Sequence, residues 1–147
     1  MSDGNAAWPP DRMLPAPPGP NGELYARAAA TGRLHLQRCD ACGTWRHPPR
    51  VLCPACGSDA ASFQPVSGRG TVFSWTVTHQ ALDPAFADHV PYAVLVVELE
   101  EGPRVVGNLV GMDPADLRLD LPVEVVLDRR SDSVALVDFR PRDRGAG

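Results

Sequence analysis

Residues 39–57 read CDACGTWRHPPRVLCPACG, and this stretch decides how the chain around it folds. It contains two CxxCG turns and all 4 cysteines of the 147-residue chain, namely Cys39, Cys42, Cys53 and Cys56. Each turn brings two thiolates to one side of a tight loop, and the glycine that follows lets the backbone fold around an ion. Two such turns facing each other offer four thiolates in a tetrahedron. The spacing therefore predicts a metal site formed by these four cysteines.

Zinc is the ion that this set of thiolates favours, because it prefers four soft ligands in a tetrahedron and adds no redox chemistry. Iron in the same site and a pair of disulfides are the two alternatives, although nothing in the sequence indicates an oxidising compartment. Four protein ligands leave no coordination position for water. We therefore expect one zinc ion per chain with a structural role and no hydrolytic metal chemistry.

The chain after the second CxxCG turn is rich in β-type patterns. Five runs stand out, at residues 69–80, 92–100, 104–110, 123–128 and 134–139. Breaks containing proline, glycine and aspartate separate them, and no long helical pattern intervenes. The simplest closed arrangement of five short strands is the Greek-key barrel of the OB-fold type, which we predict here.

Two of these runs carry more detailed expectations. Residues 92–97 are apolar on both faces, so this strand is expected to be central or covered from outside the barrel. In the first run the alternation places Phe73, Trp75 and Val77 on one face of the strand.

The other segments complete a mainly β organisation with one short helix. We expect a flexible proline-rich arm at residues 1–20, a helix at 21–33, the zinc ribbon at 34–66, the barrel at 67–140 and a disordered tail at 141–147. The arm holds six of the 16 prolines and shows no periodicity. Asn21 is expected to cap the helix, and Gly32 stands where a C-cap glycine belongs.

Composition and charge exclude several functions. All 14 positive residues are arginine, so chemistry that requires a lysine Schiff base or a P-loop lysine is excluded. The formal charge of −4 argues against a general nucleic-acid binder. No apolar run reaches the length of a membrane span, and the N-terminal residues show no secretory pattern, so a cytoplasmic location is expected. No recognisable nucleophile, paired carboxylates or phosphate loop occurs, and we expect no catalytic residues.

Five side chains are candidates for contact with a partner protein or with coenzyme A. Trp45, Arg46 and Arg50 lie between the two CxxCG turns, where the arginines could bind carboxylates or phosphates beside an aromatic wall. Phe86 and Tyr92 are the other two, because aromatic anchors near arginine are typical interface residues. The alternative is that the arginines are merely solvated and the aromatic rings are internal.

The order of these motifs resembles a known family. The segments are GRLHLQRCDACGTWRHPPRVLCPACGS at 32–58, GRGTVFSWTVTHQ at 68–80 and PYAVLVVELEEG at 91–102, preceded by a short helix. Together they look like the acyl-CoA-associated OB-fold family, also known as domain of unknown function 35, which carries a rubredoxin-like zinc ribbon before its barrel. The resemblance covers residues 21–139 and implies that the four cysteines are the zinc ligands.

The same resemblance implies a function. Members typically accompany thiolase-superfamily proteins that act on acyl-CoA thioesters, including lipid-transfer-protein-like aldolases in steroid side-chain degradation. We therefore expect a non-catalytic subunit of an aldolase (lyase) or acyltransferase complex, forming a hetero-oligomer with a thiolase-like partner and with acyl-CoA at or near the interface. Two alternatives stay open: a single-stranded nucleic-acid-binding module, and a free-standing acyl-CoA-binding protein or thioesterase.

Overall fold

The computed structural model describes residues 8–15 and 19–143, which form one helix, a small sheet and a closed barrel. The helix is α1 (Pro20–Thr31), and the small sheet contains β1 (His35–Cys39), β2 (Trp45–Arg46) and β3 (Ala61–Pro65). The barrel strands are β4 (Arg69–Thr78), β5 (Tyr92–Leu99), β6 (Arg104–Leu109), β7 (Pro122–Arg129) and β8 (Ala135–Pro141). Single 3-10 turns lie at Pro84–Phe86 and Pro114–Asp116.

The barrel has the strand order β4-β5-β6-β8-β7 and is closed by pairing of β7 with β4. All of its strand pairs are antiparallel except β6 with β8, which run parallel. This is the topology of a five-stranded OB-fold, so the fold predicted from the sequence is confirmed.

Strand β5 lies between β4 and β6 in the closed barrel. Ala93, Leu95 and Val97 point into the barrel and are at most 1% exposed. The alternate residues Val94 and Val96 face outward and are only half-buried by the barrel itself. One apolar face of β5 therefore fills the core, and the other lies on the outer surface.

A β-bulge in β4 corrects one expectation. The register of β4 against β5 shifts between Val72 and Ser74, with Phe73 at the bulge. Trp75 and Val77 pack against the core, whereas Phe73 is 46% exposed on the outer surface. The prediction that Phe73 shares a face with Trp75 and Val77 is wrong, because the extra residue reverses the alternation at that point.

The ribbon sheet has the order β2-β1-β3 and shares its core with the barrel. Leu34 and Leu36 are 3% and 0% exposed and belong to the same apolar cluster as the barrel core. The backbone N–H of Val66 donates to the carbonyl of Leu34 at 3.1 Å, at the point where the ribbon passes into the barrel. The ribbon is thus fixed to the barrel by buried side chains as well as by the chain connection.

Helix α1 packs on the strand pair β7–β8 through Ala28 and Ala29. It begins at Pro20 after an N-cap at Gly19, so Asn21 lies inside the first turn and does not cap the helix as expected. The predicted C-cap is present: Gly32 has φ 69° and donates its N–H to Ala28 at 2.9 Å. Among the described residues, no helix is both long and apolar enough to cross a membrane.

Residues 8–12 contact the barrel through Trp8, Pro9 and Arg12, which differs from the flexible arm expected for 1–20. Trp8 is 6% exposed, and the Arg12 guanidinium lies 3.4 Å from Asp128 Oδ2. At the other end, Pro141 belongs to β8 and the N–H of Arg142 donates to Pro122 at 2.9 Å. The rest of the expected arm, residues 1–7 and 16–18, and the tail residues 144–147 lie outside the described part of the chain.

Asp138, on the outer side of β8, is the buried carboxyl beneath this arm. It is 1% exposed, and burial raises its pKa to about 6. The negative charge of Asp128 also raises this pKa, whereas the positive charge of Arg12 and hydrogen bonds from the Trp8 indole and the Asn108 N–H lower it. Because the folded protein holds the Asp138 proton more tightly than the unfolded chain does, the contribution of Asp138 to stability is largest below pH about 4. It is lost as the pH rises through about 6.

We predict that Asp138→Asn stabilises the protein at pH 7.5 by about 2–3 kcal/mol, since the uncharged amide avoids the cost of ionising the buried acid. The advantage over the natural protein should shrink as the pH falls from 7.5 to 5.5. Thermal unfolding of both proteins across this range measures it. Asp116→Asn, an exposed aspartate of a 3-10 turn, is the control and should show no such trend. A constant difference at all pH values would contradict the assignment to Asp138.

Candidate functional site

The four predicted cysteines converge at one end of the ribbon. Their sulfur atoms all lie within 4.8 Å of one another, with Cys39 Sγ 3.7 Å from Cys56 Sγ and Cys42 Sγ 3.6 Å from Cys53 Sγ. Thiolates bound 2.3 Å from a zinc ion at the corners of a tetrahedron lie about 3.8 Å apart. The donor set and its spacing therefore fit a tetrahedral metal ion, as the CxxCG spacing predicted.

Two equivalent turns bring the sulfurs together. In the first, Gly43 has φ 78° and donates its N–H to Cys39 at 3.0 Å; in the second, Gly57 has φ 77° and donates to Cys53 at 2.9 Å. This left-handed conformation is readily available to glycine and costly for most other residues. The N–H groups of Cys39 and Cys53 bond to the carbonyls of Thr44 and Ser58, both at 2.8 Å, which closes each turn from the other side. The repeated CxxCG sequence thus specifies a repeated backbone geometry.

The cysteines are chemically suited to bind a cation. All four cysteines are free thiols in the structure, and the sulfur separations far exceed the S–S bond length of about 2.05 Å, so this arrangement favours a metal ion over two disulfides. The Thr44 hydroxyl lies 3.1 Å from Cys42 Sγ, and hydrogen bonds from that hydroxyl and from the Thr44 N–H lower the pKa of Cys42 to about 6. A thiolate at Cys42 is therefore favoured near neutral pH. At Cys56 the Ser58 N–H lowers the thiol pKa, but hydrogen bonds with the Cys39 and Cys42 thiols outweigh it and raise that pKa to about 11.

Arg46 lies inside the ribbon and corrects another expectation. Arg46 is 2% exposed, and its guanidinium donates to the carbonyls of Arg50 at 3.1 Å, Val51 at 3.2 Å and Ala60 at 3.4 Å. A buried guanidinium that donates to three backbone carbonyls is not available to a partner or to phosphate. The prediction of Arg46 as a contact residue is wrong, because its planar fork matches carbonyls within its own loop.

The segment that Arg46 fixes is exposed. Arg50 is exposed, and its two apolar neighbours Val51 and Leu52 are 75% and 57% exposed. The N–H of Arg50 donates to Gln37 Oε1 at 2.8 Å, which holds the segment from a second direction. We call residues 50–52 the ribbon tip. It is a fixed loop with its side chains in solvent, and Arg50 stays a candidate contact residue.

Trp45 is half-buried between the ribbon and the core. Its ring packs against the apolar cluster, and the guanidinium carbon of Arg38 lies 4.9 Å from the ring centroid. Arg38 Nε also donates to the carbonyl of Gly43 at 2.8 Å, so the arginine is held in place over the ring. Only the remaining edge of Trp45 can meet another molecule.

Phe86 and Tyr92 belong to an aromatic cluster that includes Trp8. Their ring centroids are 5.3 Å apart, and Trp8 lies 6.1 Å from Phe86 and 5.6 Å from Tyr92. His89 stacks on the Trp8 indole with an interplanar angle of 24°. Sequence reasoning missed this role of Trp8 because its surroundings are rich in proline and lack periodicity, although a lone tryptophan in such a segment was a signal.

Another apolar surface lies on the outer face of the barrel. Phe73 is 46% exposed, Val106 is 60% exposed, and Val96 is paired directly with Val106 in the β5–β6 ladder. The Arg104 guanidinium covers the Phe73 ring at 3.6 Å and bonds to Glu98 at 3.1 Å. We call Phe73, Val96 and Val106 the barrel patch. The sequence did not reveal it because the bulge that exposes Phe73 was not predicted.

A groove joins the separate parts of the structure beside the barrel patch. It is lined by side chains from the arm, from α1, from the ribbon and from β6, including Arg12, Tyr25, His47 and Val106. Val106 therefore belongs both to the barrel patch and to the wall of this groove. Burial lowers the pKa of His47, one of the residues that the ribbon contributes.

Known protein families match both the zinc ribbon and the barrel of this chain. Residues 26–61 match the family described as "ChsH2, rubredoxin-like zinc ribbon domain", and residues 63–128 match "ChsH2, C-terminal OB-fold domain". The solved structure "Ltp2-ChsH2(DUF35) aldolase" is 41% identical with a TM-score of 0.77, covering 87% of this chain and 98% of that chain.

Two relatives differ in length and name. The "3-oxo-4,17-pregnadiene-20-carboxyl-CoA hydratase alpha subunit" of Mycobacterium tuberculosis is 37% identical over 117 residues, 78% of this chain and 36% of that protein. A "DUF35 domain-containing scaffold protein" of Methanothermobacter thermautotrophicus is 37% identical over 90 residues, 60% of this chain and 67% of that protein. The chain thus spans about a third of the length of the hydratase alpha subunits it matches.

We predict that the protein purified under reducing conditions holds one metal ion per chain and that Cys39→Ser releases it. Three thiolates bind far more weakly than four, and the ribbon has little core of its own to compensate. Elemental analysis and unfolding in the presence of a chelator measure both effects. Ser74→Ala, at an exposed serine of β4 in the barrel, is the control and should retain the ion. Protein with less than about half an equivalent of metal and no free thiols would instead indicate disulfides.

The two arginines of the ribbon provide a matched pair. Arg46→Gln should destabilise the protein by about 2–3 kcal/mol, because buried carbonyls lose charge-assisted hydrogen bonds. Arg50→Gln should change stability by less than about 0.5 kcal/mol, because that side chain is in solvent. Chemical denaturation of both variants with metal bound tests this. Equal effects of the two substitutions would show that Arg46 is not the internal support described above.

Proposed function

This chain belongs to the DUF35 family of ChsH2-type zinc-ribbon and OB-fold proteins, and on that premise we propose that it is a non-catalytic subunit of an acyl-CoA-processing complex. The observation that carries this proposal is the likeness to the DUF35 chain of the Ltp2-ChsH2(DUF35) aldolase, of which this chain covers 98% at 41% identity. That chain was solved as part of a complex whose printed name pairs it with Ltp2. A close relative of such a chain is expected to be a component of a similar assembly.

The partner that we propose is a thiolase-superfamily protein of the lipid-transfer-protein-like type. The assembly would act as an aldolase, a lyase, on an acyl-CoA such as a steroid side-chain thioester. The mycobacterial relative is named for a steroid-type carboxyl-CoA, which supports that class of substrate. Its hydratase activity is not proposed for this chain, because the chain corresponds to only 36% of that protein. An acyltransferase complex is the alternative reaction for the same type of partner.

Two surfaces support a role in assembly. The barrel patch and the ribbon tip both expose large apolar side chains, at Phe73 and Val106 in one and Val51 and Leu52 in the other. Burial of such residues against a second protein is favourable by about 25 cal/mol per Å² of apolar area. The half-buried rings of Trp45, Phe86 and Tyr92 could contribute only their remaining exposed edges, while Arg50 could pair with acidic groups of the partner or with CoA phosphates.

The proposed metal is zinc, with a structural role. A closed set of four thiolates suits zinc and leaves no open position for a substrate or water. The ion would hold the two CxxCG turns together and so fix the loop between them, which contains the ribbon tip. Four reduced cysteines are also the reason to propose a cytoplasmic location, where thiols stay reduced.

The alternative of single-stranded nucleic-acid binding is less well supported. OB-folds bind oligonucleotides on the face flanked by two particular loops, which here are residues 79–91 and 130–134. Trp8 covers that region, and the two carboxylates beneath it, Asp128 and Asp138, are unfavourable neighbours for phosphate. The free-standing thioesterase is not favoured by any arrangement of side chains in the described residues.

The proposal predicts a specific partner and a specific surface. The tagged chain purified from its native cells should retain a thiolase-superfamily protein, identified by mass spectrometry. In the reconstituted complex, Val106→Asp should weaken binding at least tenfold, because a charge replaces a buried apolar contact, without a change in thermal stability.

Leu119→Asp is the matched control, because Leu119 is 64% exposed in the loop before β7 and lies outside the barrel patch. It should bind the partner normally. If no thiolase-superfamily protein is retained, or if the isolated chain itself turns over acyl-CoA, the proposed function is wrong. If the partner binds but both variants behave alike, only the choice of surface is wrong.

A further inference from the structure

Residues 79–91, which connect β4 to β5, and residues 130–134, which connect β7 to β8, flank the part of the barrel that residues 8–12 contact, and we call this part the cleft. We propose that this cleft is a peptide-binding site for a tryptophan followed four positions later by an arginine, and that residues 8–12 of the chain occupy it. The sequence of the occupying segment is Trp-Pro-Pro-Asp-Arg. This inference is independent of the proposed function, because it rests only on contacts within the chain.

The first half of the cleft is aromatic. The Trp8 indole is 6% exposed and is surrounded by three rings, with centroid distances of 6.1 Å to Phe86, 6.1 Å to His89 and 5.6 Å to Tyr92. The His89 ring is stacked and the Tyr92 ring is edge-on, both favourable arrangements for aromatic pairs. Phe86 and His89 come from the 79–91 loop, and Tyr92 is the first residue of β5. An indole thus has its own pocket in the barrel.

The second half of the cleft is acidic. Asp128 and Asp138 are 2% and 1% exposed, and they come from the neighbouring strands β7 and β8. Arg12 Nη1 lies 3.4 Å from Asp128 Oδ2, to which Arg130 Nη2 donates at 2.6 Å. Within the barrel, Arg130 offsets the charge of only one of these two buried carboxylates. Arg12 supplies the second positive charge.

Backbone recognition links the two halves. Arg130 Nη1 donates to the carbonyl of Pro9 at 2.9 Å, so a side chain of the barrel holds the arm between its tryptophan and its arginine. The N–H of Arg12 donates to the same carbonyl at 3.3 Å and closes a turn. This turn brings the Arg12 guanidinium to 5.6 Å from the centroid of the Trp8 ring. Tryptophan and arginine therefore enter the cleft from the same side of one compact turn.

The charge of the cleft determines which ligands fit. Without residues 8–12, its floor would present Asp128 and Asp138 against Arg130 alone. Phosphates would be repelled, whereas a cationic segment would gain charge-assisted hydrogen bonds. Asp128 Oδ1 and Asp138 Oδ1 are buried without a hydrogen-bond partner among the described residues, so each carboxylate can accept one more donor from a ligand. The site is thus suited to a peptide and is filled by the chain's own segment.

The test uses a synthetic peptide of residues 5–16 and the full-length chain. In the acceptor, Trp8→Ala and Arg12→Ala together should vacate the cleft, so that this variant binds the peptide with a stoichiometry of one. The natural chain, whose cleft is filled, should bind the peptide at least tenfold more weakly. Isothermal titration calorimetry measures both. Peptides in which either Trp8 or Arg12 is replaced by alanine should bind the variant at least tenfold more weakly than the natural peptide.

Failure of the folded double variant to bind the natural peptide would overturn the proposal, and so would equally tight binding of the two peptides that lack Trp8 or Arg12. Circular dichroism and metal content establish that the variant is folded. A second measurement needs no double variant: trypsin cleavage after Arg12 should be at least tenfold faster in Asp128→Asn than in the natural chain. The Asp116→Asn variant should be cleaved like the natural chain, and equal cleavage of all three would also overturn the proposal.

Discussion

Four cysteine sulfurs within 4.8 Å of one another are the constraint on which the ribbon depends. Four thiolates at that distance repel one another strongly, so their convergence is stable around a cation and costly without one. The surrounding segment supplies little apolar burial to compensate. The ribbon is attached to the barrel through Leu34, which precedes β1, and Leu36, which lies in it. Both side chains belong to the barrel core. The barrel therefore anchors one end of the ribbon, and the metal site organises the other.

Arginine performs several internal tasks in this structure. Arg46 supports the ribbon loop through three carbonyls, Arg38 covers Trp45, and Arg130 links Asp128 to the arm. Each of these uses the planar guanidinium with several donors, and a lysine ammonium could not reproduce the geometry. A buried guanidinium can therefore be hydrogen-bonded by backbone carbonyls alone, as at Arg46. The same property made Arg46 misleading in the sequence, where an arginine beside an exposed loop looks like a ligand-binding residue.

The parts that were predictable from the sequence are those that follow from a repeated local rule. The CxxCG spacing specified the four cysteines, the turn residues separated the barrel strands, and Gly32 marked the end of α1. The parts that were not predictable depend on contacts between distant segments. The bulge at Phe73 is one residue of extra length in β4 relative to β5, and alternation alone does not indicate it. Trp8 is buried because loop 79–91 and β5 supply rings for it, which no pattern within the arm could show.

The groove beside Val106 shows that the possible contact surfaces are not independent of one another. It is lined by Arg12 from the arm, Tyr25 from α1, His47 from the ribbon and Val106 from the barrel patch. A protein that covers Val106 therefore also approaches the side chain through which the arm reaches Asp128. Arg12 forms the longer of the two contacts with that carboxylate, at 3.4 Å against 2.6 Å for Arg130. A molecule that covers Val106 and extends into this groove would therefore also meet Arg12, whereas one that covers only Phe73 and Val96 would not enter the groove.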